Sequence, residues 1–147
     1  MGLIQTVDPQ SAQGEMKSAF DFFEKTIGTI PAPMAMFSAS PDLFNLQLQS
    51  LNYFMRHPTL GFPLLSSIRY LVAREYDYQF CTGFNEAFLK QQGLTAADIE
   101  QMSNDPESAP LDDKDRAMLA FVMKAVRSPG AADQADMQRL HEMGWTD

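Results

Sequence analysis

The sequence predicts an all-α protein. Apolar residues recur at three- and four-residue spacing along nearly the whole chain of 147 residues, which is the spacing of one helix face. No stretch of the sequence alternates apolar and polar residues as a half-buried strand does. Proline and glycine separate the periodic stretches, where they end helices and form turns. The length fits one domain, residues 1–147, built around a single core.

Three helices are predicted before residue 58. The first follows Asp8, an N-cap residue with proline next to it, and ends at Gly28. Its buried stripe comprises Met16, Phe20, Phe23 and Ile27. After a proline break, a short helix reaches Met36. The third helix begins at Ser40 and ends at Pro58, and its predicted buried face comprises Phe44, Leu48, Leu51 and Met55.

Two further helices flank the only cysteine of the sequence. One runs from Pro63 to about Tyr76, and its apolar stripe comprises Leu65, Ile68, Val72 and Tyr76. The next runs from Tyr78 to Gln92 and ends at Gly93, and it carries Phe80, Phe84 and Phe88 on its apolar side.

The remaining chain predicts three more helices. Thr95 is a good N-cap for a short one, and a polar loop follows over residues 103–110. Asp112 and Asp113 place acid at the start of a helix that residues 128–130 end. Its predicted core side comprises Met118, Phe121, Val122, Ala125 and Val126. The last helix covers residues 132–143.

Composition excludes several classes of function. A net charge of -8 argues against a nucleic-acid partner, because phosphate binding requires clustered Lys and Arg. The N-terminus has neither a basic region nor a long apolar run, so we expect no signal peptide, no membrane partner and a cytoplasmic location. His57 and His141 lack ligand-like neighbours, and no phosphate-binding or dinucleotide fingerprint is present. The sequence therefore predicts no metal and no cofactor.

The segment 72–85 contains the single cysteine, Cys81, behind the tripeptide Val-Ala-Arg at 72–74. It resembles the motif of the alkylhydroperoxidase AhpD-like and carboxymuconolactone decarboxylase-like family, in its peroxidase-related branch. That motif is a glutamate, eleven residues, then Cys-x-x-Cys-x-x-x-His. Cys81 falls on the second cysteine, whereas Ser66, Tyr78 and Asn85 replace the glutamate, the first cysteine and the histidine.

The C-terminal half carries further resemblance, so that the likeness spans about residues 35–147. Residues 113–121 are similar to a helix of the family, and residues 140–147 resemble its Leu-x-x-x-Gly-Trp-Ser/Thr-Asp segment. In relatives, the Thr-Asp pair caps a further helix. We therefore expect that terminal helices of the family are absent from this sequence, or that the sequence is a shortened product. The resemblance also implies a homo-oligomer, a trimer or larger ring.

The resemblance implies a thiol oxidoreductase whose two-cysteine cycle is incomplete. Tyr78 cannot form a disulfide, Asn85 cannot take a proton at neutral pH, and Ser66 is a poor base. What is left is one-cysteine chemistry, with Cys81 as the catalytic residue and an external thiol as reductant. The alternative is a non-redox protein of the same fold, acting as an oligomeric scaffold or binding a small molecule in a pocket near Ser66, Tyr78, Cys81 and Asn85.

The sequence leaves two roles open for Cys81 and two for Asn85. Cys81 lies near the start of a predicted helix, which favours a reactive thiol, but free cysteines are commonly small buried apolar residues. Asn85 follows Cys81 by four residues and lies on the same helical face. On that apolar face it needs a hydrogen-bond partner, either as a structural amide that joins two helices or as a group that orients a substrate.

Overall fold

A computed structural model describes residues 3–147; Met1 and Gly2, part of the N-terminal stretch considered above, lie outside the described residues. The described chain is helical and contains no strand, which confirms the all-α prediction. The α-helices are α1 Gly14–Ile27, α2 Ala32–Phe37, α3 Pro41–Met55, α4 Phe62–Glu75, α5 Gln79–Gln91, α6 Ala96–Asn104, α7 Asp113–Arg127 and α8 Gln134–Glu142, with 3-10 turns at Pro106–Ser108 and Pro129–Ala131. Within residues 3–147, no helix has the length and apolar character needed to cross a membrane.

The chain packs as two compact units, which divide after Pro58. A single domain over residues 1–147 therefore stays a prediction. In the first unit, α1, α2 and α3 share a core in which the rings of Phe20 and Phe44 meet edge to face, with centroids 5.5 Å apart. The N-terminal segment joins this unit through the N–H of Val7, which donates to Ser38 Oγ at 2.9 Å.

The second unit, from Thr59 onward, is built around α4. This helix packs most extensively against α5 and also against α7. The core holds residues from α4 to α8 and from the C-terminal segment, namely Leu64, Tyr70, Leu71, Leu89, Ile99, Met102, Ala109, Ala117, Leu119, Met123, Leu140 and Trp145. Trp145 is anchored there because its Nε1–H donates to the carbonyl oxygen of Lys114 at 3.0 Å.

Several predicted helix ends are confirmed by their local geometry. Gly28 has a φ of 80°, the left-handed conformation that glycine tolerates, and its N–H reaches the carbonyl oxygen of Glu24. Thr95 forms a capping box with Asp98 at the start of α6. Asp112 caps α7 by accepting a hydrogen bond from the N–H of Asp115.

The predicted start of the first helix is wrong. Asp8 forms an isolated turn instead, in which its carboxylate accepts from the N–H of Gln10 and its carbonyl oxygen accepts from Ser11 and Ala12. The chain is then extended at Gln13, and α1 begins at Gly14. The cap-like side chain therefore serves a turn, and the helix starts several residues later.

Parts of the predicted buried faces are also wrong. Met55 and Tyr76 are exposed, because each lies at the end of its helix, beyond the packed part. Phe80 is exposed near the start of α5. On α7 the predicted core residues are only partly buried, while the deepest positions are Ala117, Leu119 and Met123. This helix contacts α4 as well as α8 and both 3-10 turns, so its buried face is broader than one stripe and is rotated from the predicted one.

Candidate functional site

A tight turn between α4 and α5 positions the single cysteine. Asp77 has a φ of 55°, the left-handed region that Asp and Asn enter more readily than most residues. This conformation lets the N–H of Tyr78 donate to the carbonyl oxygen of Ala73 at 2.8 Å, which closes the end of α4. The helix α5 starts directly afterwards, and Cys81 is its third residue.

Cys81 is partly buried in the first turn of α5. The N-cap residue of this helix, Tyr78, makes no side-chain hydrogen bond to the first-turn N–H groups. A helix N-terminus carries partial positive charge, which stabilises an anion placed there. The sequence-predicted position of the cysteine near a helix start is thus confirmed, and its side chain is neither fully buried nor fully exposed.

Asn85 is held by main-chain hydrogen bonding. Its side chain is buried, with 7% of its surface exposed, and its Nδ2 donates to the carbonyl oxygen of Cys81 at 2.8 Å. The expected contact between Asn85 and Cys81 is therefore present, but it involves the backbone of Cys81. This arrangement fixes the amide against the first turn of its own helix, whereas the expected structural role was a bond between two helices, so the role of Asn85 stays a prediction.

Ser66 contacts the other end of α5. It is buried on α4, donates through Oγ to the carbonyl oxygen of Phe62 at 2.8 Å, and accepts from Gln92 Nε2 at 3.3 Å. Gln92 follows Cys81 by eleven residues, which is about 16 Å along a helix axis. The hydrogen bond from Gln92 thus joins Ser66 to the end of α5 that is opposite Cys81.

Gln92 itself is a polar residue that the sequence analysis missed. Besides Ser66, its Nε2 donates to the carbonyl oxygen of Phe88 at 3.1 Å. Its Oε1 is buried without a hydrogen-bond partner in the described chain. Gln92 could have been identified from the sequence, since it follows Asn85 by seven residues and so lies on the same face of the helix.

Tyr78 lies outside the buried part of the site. Its residue surface is 61% exposed, and its ring stacks on that of Tyr76 with centroids 6.0 Å apart. Of the four predicted site residues, Cys81 and Asn85 are therefore in contact. Tyr78 lies at the surface, three residues before the cysteine. Ser66 is hydrogen-bonded to Gln92 instead.

An aromatic row runs beside Cys81 along α5. Phe80 stacks on Phe84 at 5.8 Å between centroids, Phe84 meets Phe88 at 4.8 Å, and Phe88 meets Phe62 of α4 at 5.5 Å. Phe80 and Phe62 are exposed, whereas Phe84 and Phe88 are partly buried. Cys81 is thus partly buried, directly follows Phe80 of this aromatic row, and shares a helix face with the buried Asn85.

Two adjoining clefts occur elsewhere in the second unit, at the 3-10 turn Pro106–Ser108, α7 and α8. One has a volume of about 280 Å³ and is lined by Glu107, Asp113, Arg116, Ala117, Arg139 and Met143. The other has a volume of about 180 Å³ and is lined by Glu107, Ala117, Ala120, Phe121, Lys124, Asp136, Arg139 and Leu140. Cys81 lines neither of them. These clefts could not be predicted from the sequence, because their residues come from three separate segments.

The charged groups of these clefts are paired. Arg116 donates through Nη1 to the carbonyl oxygen of Leu111 at 2.6 Å and also bonds to Asp113, so its guanidinium is fixed. Arg139 lies 3.5 Å from Glu107, and both side chains are well exposed. Lys124 Nζ lies 2.6 Å from Asp136 Oδ2, and this hydrogen bond lowers the pKa of Asp136 and raises the pKa of Lys124.

Comparison with known proteins identifies the fold. The sequence matches no family model and no curated protein. The structure is similar to that of an uncharacterized peroxidase-related protein from Silicibacter sp. TM1040, with a TM-score of 0.79, 20% identity, and coverage of 99% of this chain and 78% of that chain. It is also similar to an uncharacterized peroxidase-related protein from Ralstonia eutropha JMP134, described as an alkylhydroperoxidase AhpD core, with a TM-score of 0.79, 18% identity, and coverage of 97% and 76%. The chain thus has an AhpD-like helical fold.

Proposed function

We propose that this protein is a peroxidase-related thiol oxidoreductase of the AhpD-like and carboxymuconolactone decarboxylase-like family, with Cys81 as its only redox residue. The observation that supports this most directly is the location of Cys81: it is the third residue of α5, only partly buried, at a helix N-terminus that Tyr78 does not cap. The fold shared with two peroxidase-related proteins adds support. The reaction requires a thiol reductant, which the cytoplasm contains.

In the proposed cycle, the Cys81 thiolate attacks the distal oxygen of a hydroperoxide. The O–O bond breaks, the alcohol leaves after taking up a proton, and Cys81 becomes a sulfenic acid. An external thiol then displaces water from the sulfenic acid and forms a mixed disulfide. A second external thiol attacks that disulfide and releases the Cys81 thiol. One hydroperoxide and two thiols thus give one alcohol, one water and one external disulfide.

Peroxide consumption in the presence of dithiothreitol tests this proposal. We expect the wild-type protein to consume an organic hydroperoxide faster than the free thiol alone, and Cys81→Ser to abolish the difference. Thr82→Ser is the matched control, since it changes the neighbouring side chain and keeps the hydroxyl that bonds to the carbonyl oxygen of Tyr78. Equal consumption by wild type and Cys81→Ser would exclude Cys81 as a redox centre.

A non-redox binding function is the second candidate, and the cleft lined by Arg116 and Arg139 favours it. Arg116 is already bonded to Asp113, whereas Arg139 lies 3.5 Å from Glu107 with both side chains well exposed, so a ligand carboxylate can compete for the Arg139 guanidinium through two parallel hydrogen bonds. Ala117 and Met143 provide apolar surface in the same cleft. We propose small carboxylated molecules as ligands in that case. A thermal-shift screen tests this: such compounds should raise the melting temperature of the wild type and not of Arg139→Gln. No rise with any carboxylate would contradict a binding role at this cleft.

A further inference from the structure

The two adjoining clefts of the second unit share an ion pair, Arg139 with Glu107. Both residues line both clefts, so the pair lies where the clefts meet. Arg139 Nη2 is 3.5 Å from Glu107 Oε1, which is longer than the roughly 2.7–2.9 Å of a charge-assisted hydrogen bond. The two side chains expose 63% and 59% of their surfaces, and an exposed ion pair contributes little to stability. A ligand can therefore open this pair at little cost.

The other charged groups of the two clefts are held more firmly. Arg116 bonds to Asp113 within the first turn of α7. Lys124 Nζ lies 2.6 Å from Asp136 Oδ2, and the same carboxylate oxygen accepts the N–H of Asp133 in the capping box that starts α8. Breaking the second pair would therefore also disturb a helix start. The pair at the junction is the one whose charges are available to a ligand.

The junction offers one positive and one negative charge, and a ligand that satisfies both must itself carry both. A ligand carboxylate accepts hydrogen bonds from the Arg139 guanidinium, and a ligand ammonium group donates to the Glu107 carboxylate. A ligand with a carboxylate alone would take Arg139 from Glu107 and leave two negative charges close together. The net charge of -8 also repels anions, whereas a zwitterion has no net charge. The charges of this site therefore favour a zwitterion over a simple carboxylate.

The smaller cleft supplies the apolar part of the site. Besides the residues that the clefts share, it is lined by Ala120, Phe121 and Leu140, whereas the larger cleft adds only Met143 as an apolar residue. The volume of the smaller cleft, about 180 Å³, lies below the roughly 300–1,000 Å³ of pockets for drug-sized ligands. It therefore suits one small apolar side chain.

We propose that the junction binds a free α-amino acid with an aliphatic side chain of about the size of leucine. The ligand carboxylate pairs with Arg139, its ammonium group pairs with Glu107, and its side chain lies in the smaller cleft. In an α-amino acid the two charged groups are attached to one carbon, which matches charges as close together as these. This inference rests on the second candidate function and narrows its ligands from carboxylates to zwitterions. It does not depend on Cys81, which lines neither cleft.

Titration of the isotope-labelled protein, followed by NMR, tests the proposal with three probes. These are leucine, isocaproate, which is leucine without the ammonium group, and isoamylamine, which is leucine without the carboxylate. Leucine should shift the amide signals of the cleft residues and bind about ten-fold more tightly than either analogue, because each analogue loses one charge-assisted hydrogen bond. Isocaproate that binds at the clefts as tightly as leucine would overturn the zwitterion proposal and leave the carboxylate-binding function standing. No shift of the cleft residues with any of the three probes would overturn both.

Two variants assign the ligand groups to the two charges. Glu107→Gln should abolish the preference for leucine over isocaproate, because the ammonium group loses its partner and the isocaproate carboxylate loses its repulsion. Arg139→Gln should abolish the preference for leucine over isoamylamine. Glu100→Gln is the matched control, since it neutralises an exposed carboxylate that lines neither cleft, and both preferences should persist. Preferences that survive in Glu107→Gln and Arg139→Gln as they do in Glu100→Gln would overturn the proposal.

Discussion

The buried amide of Asn85 donates a hydrogen bond to the carbonyl oxygen of Cys81 at 2.8 Å, one turn back along α5. The amide therefore holds the backbone of the turn that presents the thiol. A polar residue on a buried face is stable only when it is bonded in this way, and the acceptor is a carbonyl that its own helix provides.

Replacing Asn85 with Ala should lower the free energy of unfolding by about 1–2 kcal/mol, because it removes a buried hydrogen bond and leaves a small void. Urea unfolding followed by circular dichroism measures the change. Asn52→Ala, at an exposed position of α3, is the control and should change the free energy of unfolding by less than about 0.5 kcal/mol. Equal effects of the two variants would contradict a structural role for the Asn85 amide.

Trp145→Phe should destabilise the protein by about 1–2 kcal/mol. The substitution removes the hydrogen bond to the carbonyl oxygen of Lys114 at 3.0 Å while keeping an aromatic ring. Lys114 Nζ also lies 4.6 Å from the centre of the Trp145 ring and donates to the carbonyl oxygen of Gly144. Lys114→Met, which loses only the second set of contacts, should cost less. Thermal unfolding of both variants gives the comparison, and a larger loss for Lys114→Met would contradict it.

Thr95→Ala should cost about 1 kcal/mol of stability, the usual value of an N-cap. Thr95 Oγ1 accepts from the N–H of Asp98, and the Asp98 carboxylate accepts in return from the Thr95 N–H at 2.8 Å. Ser40→Ala at the start of α3 should cost less, since Ser40 Oγ is 3.5 Å from the N–H of Leu43 and nothing reciprocates. Denaturant midpoints for the two variants test this order, and the reverse order would refute it.

The ion pair between Lys124 and Asp136 predicts an acid dependence of stability. The hydrogen bond from Lys124 lowers the pKa of Asp136 below the ordinary value of 3.8. A lowered pKa in the folded state means that this carboxylate stabilises the protein above about pH 4, and that the contribution is lost as the pH falls through the folded-state pKa. The stability difference between wild type and Asp136→Asn should therefore shrink between about pH 6 and about pH 3. A difference that is constant over this range would contradict the assignment.

The sequence was sufficient to predict the helices where caps and periodicity agree, as at Gly28, Thr95 and Asp112. It was misleading where one side chain suits two local structures. Asp8 can cap a helix or a turn, and only the extended backbone at Gln13 decides between them. The buried positions of α7 were misassigned for a different reason: this helix packs against several elements, so no single stripe describes its contacts.

The candidate site was predictable only along α5. The contact between Asn85 and Cys81 follows from their spacing on one helix. The hydrogen bond between Ser66 and Gln92 depends on how α4 and α5 align. The spacing of residues within one helix does not predict that alignment. The partial exposure of Cys81 likewise results from the packing of α5 on α4.

The left-handed backbone of Asp77 fixes how α5 is rotated about its own axis relative to α4. Successive residues of a helix are offset by about 100°, so one residue gained or lost in this turn would rotate the whole of α5 relative to α4 or break the hydrogen bond that closes the turn. Rotation would replace the buried Asn85 and Leu89 either by Phe84 and Phe88, which are only partly buried, or by the charged residues Glu86 and Lys90. The number of residues in this turn is therefore constrained as the residues of the core are. A turn of different length would place another side chain where the thiol is now.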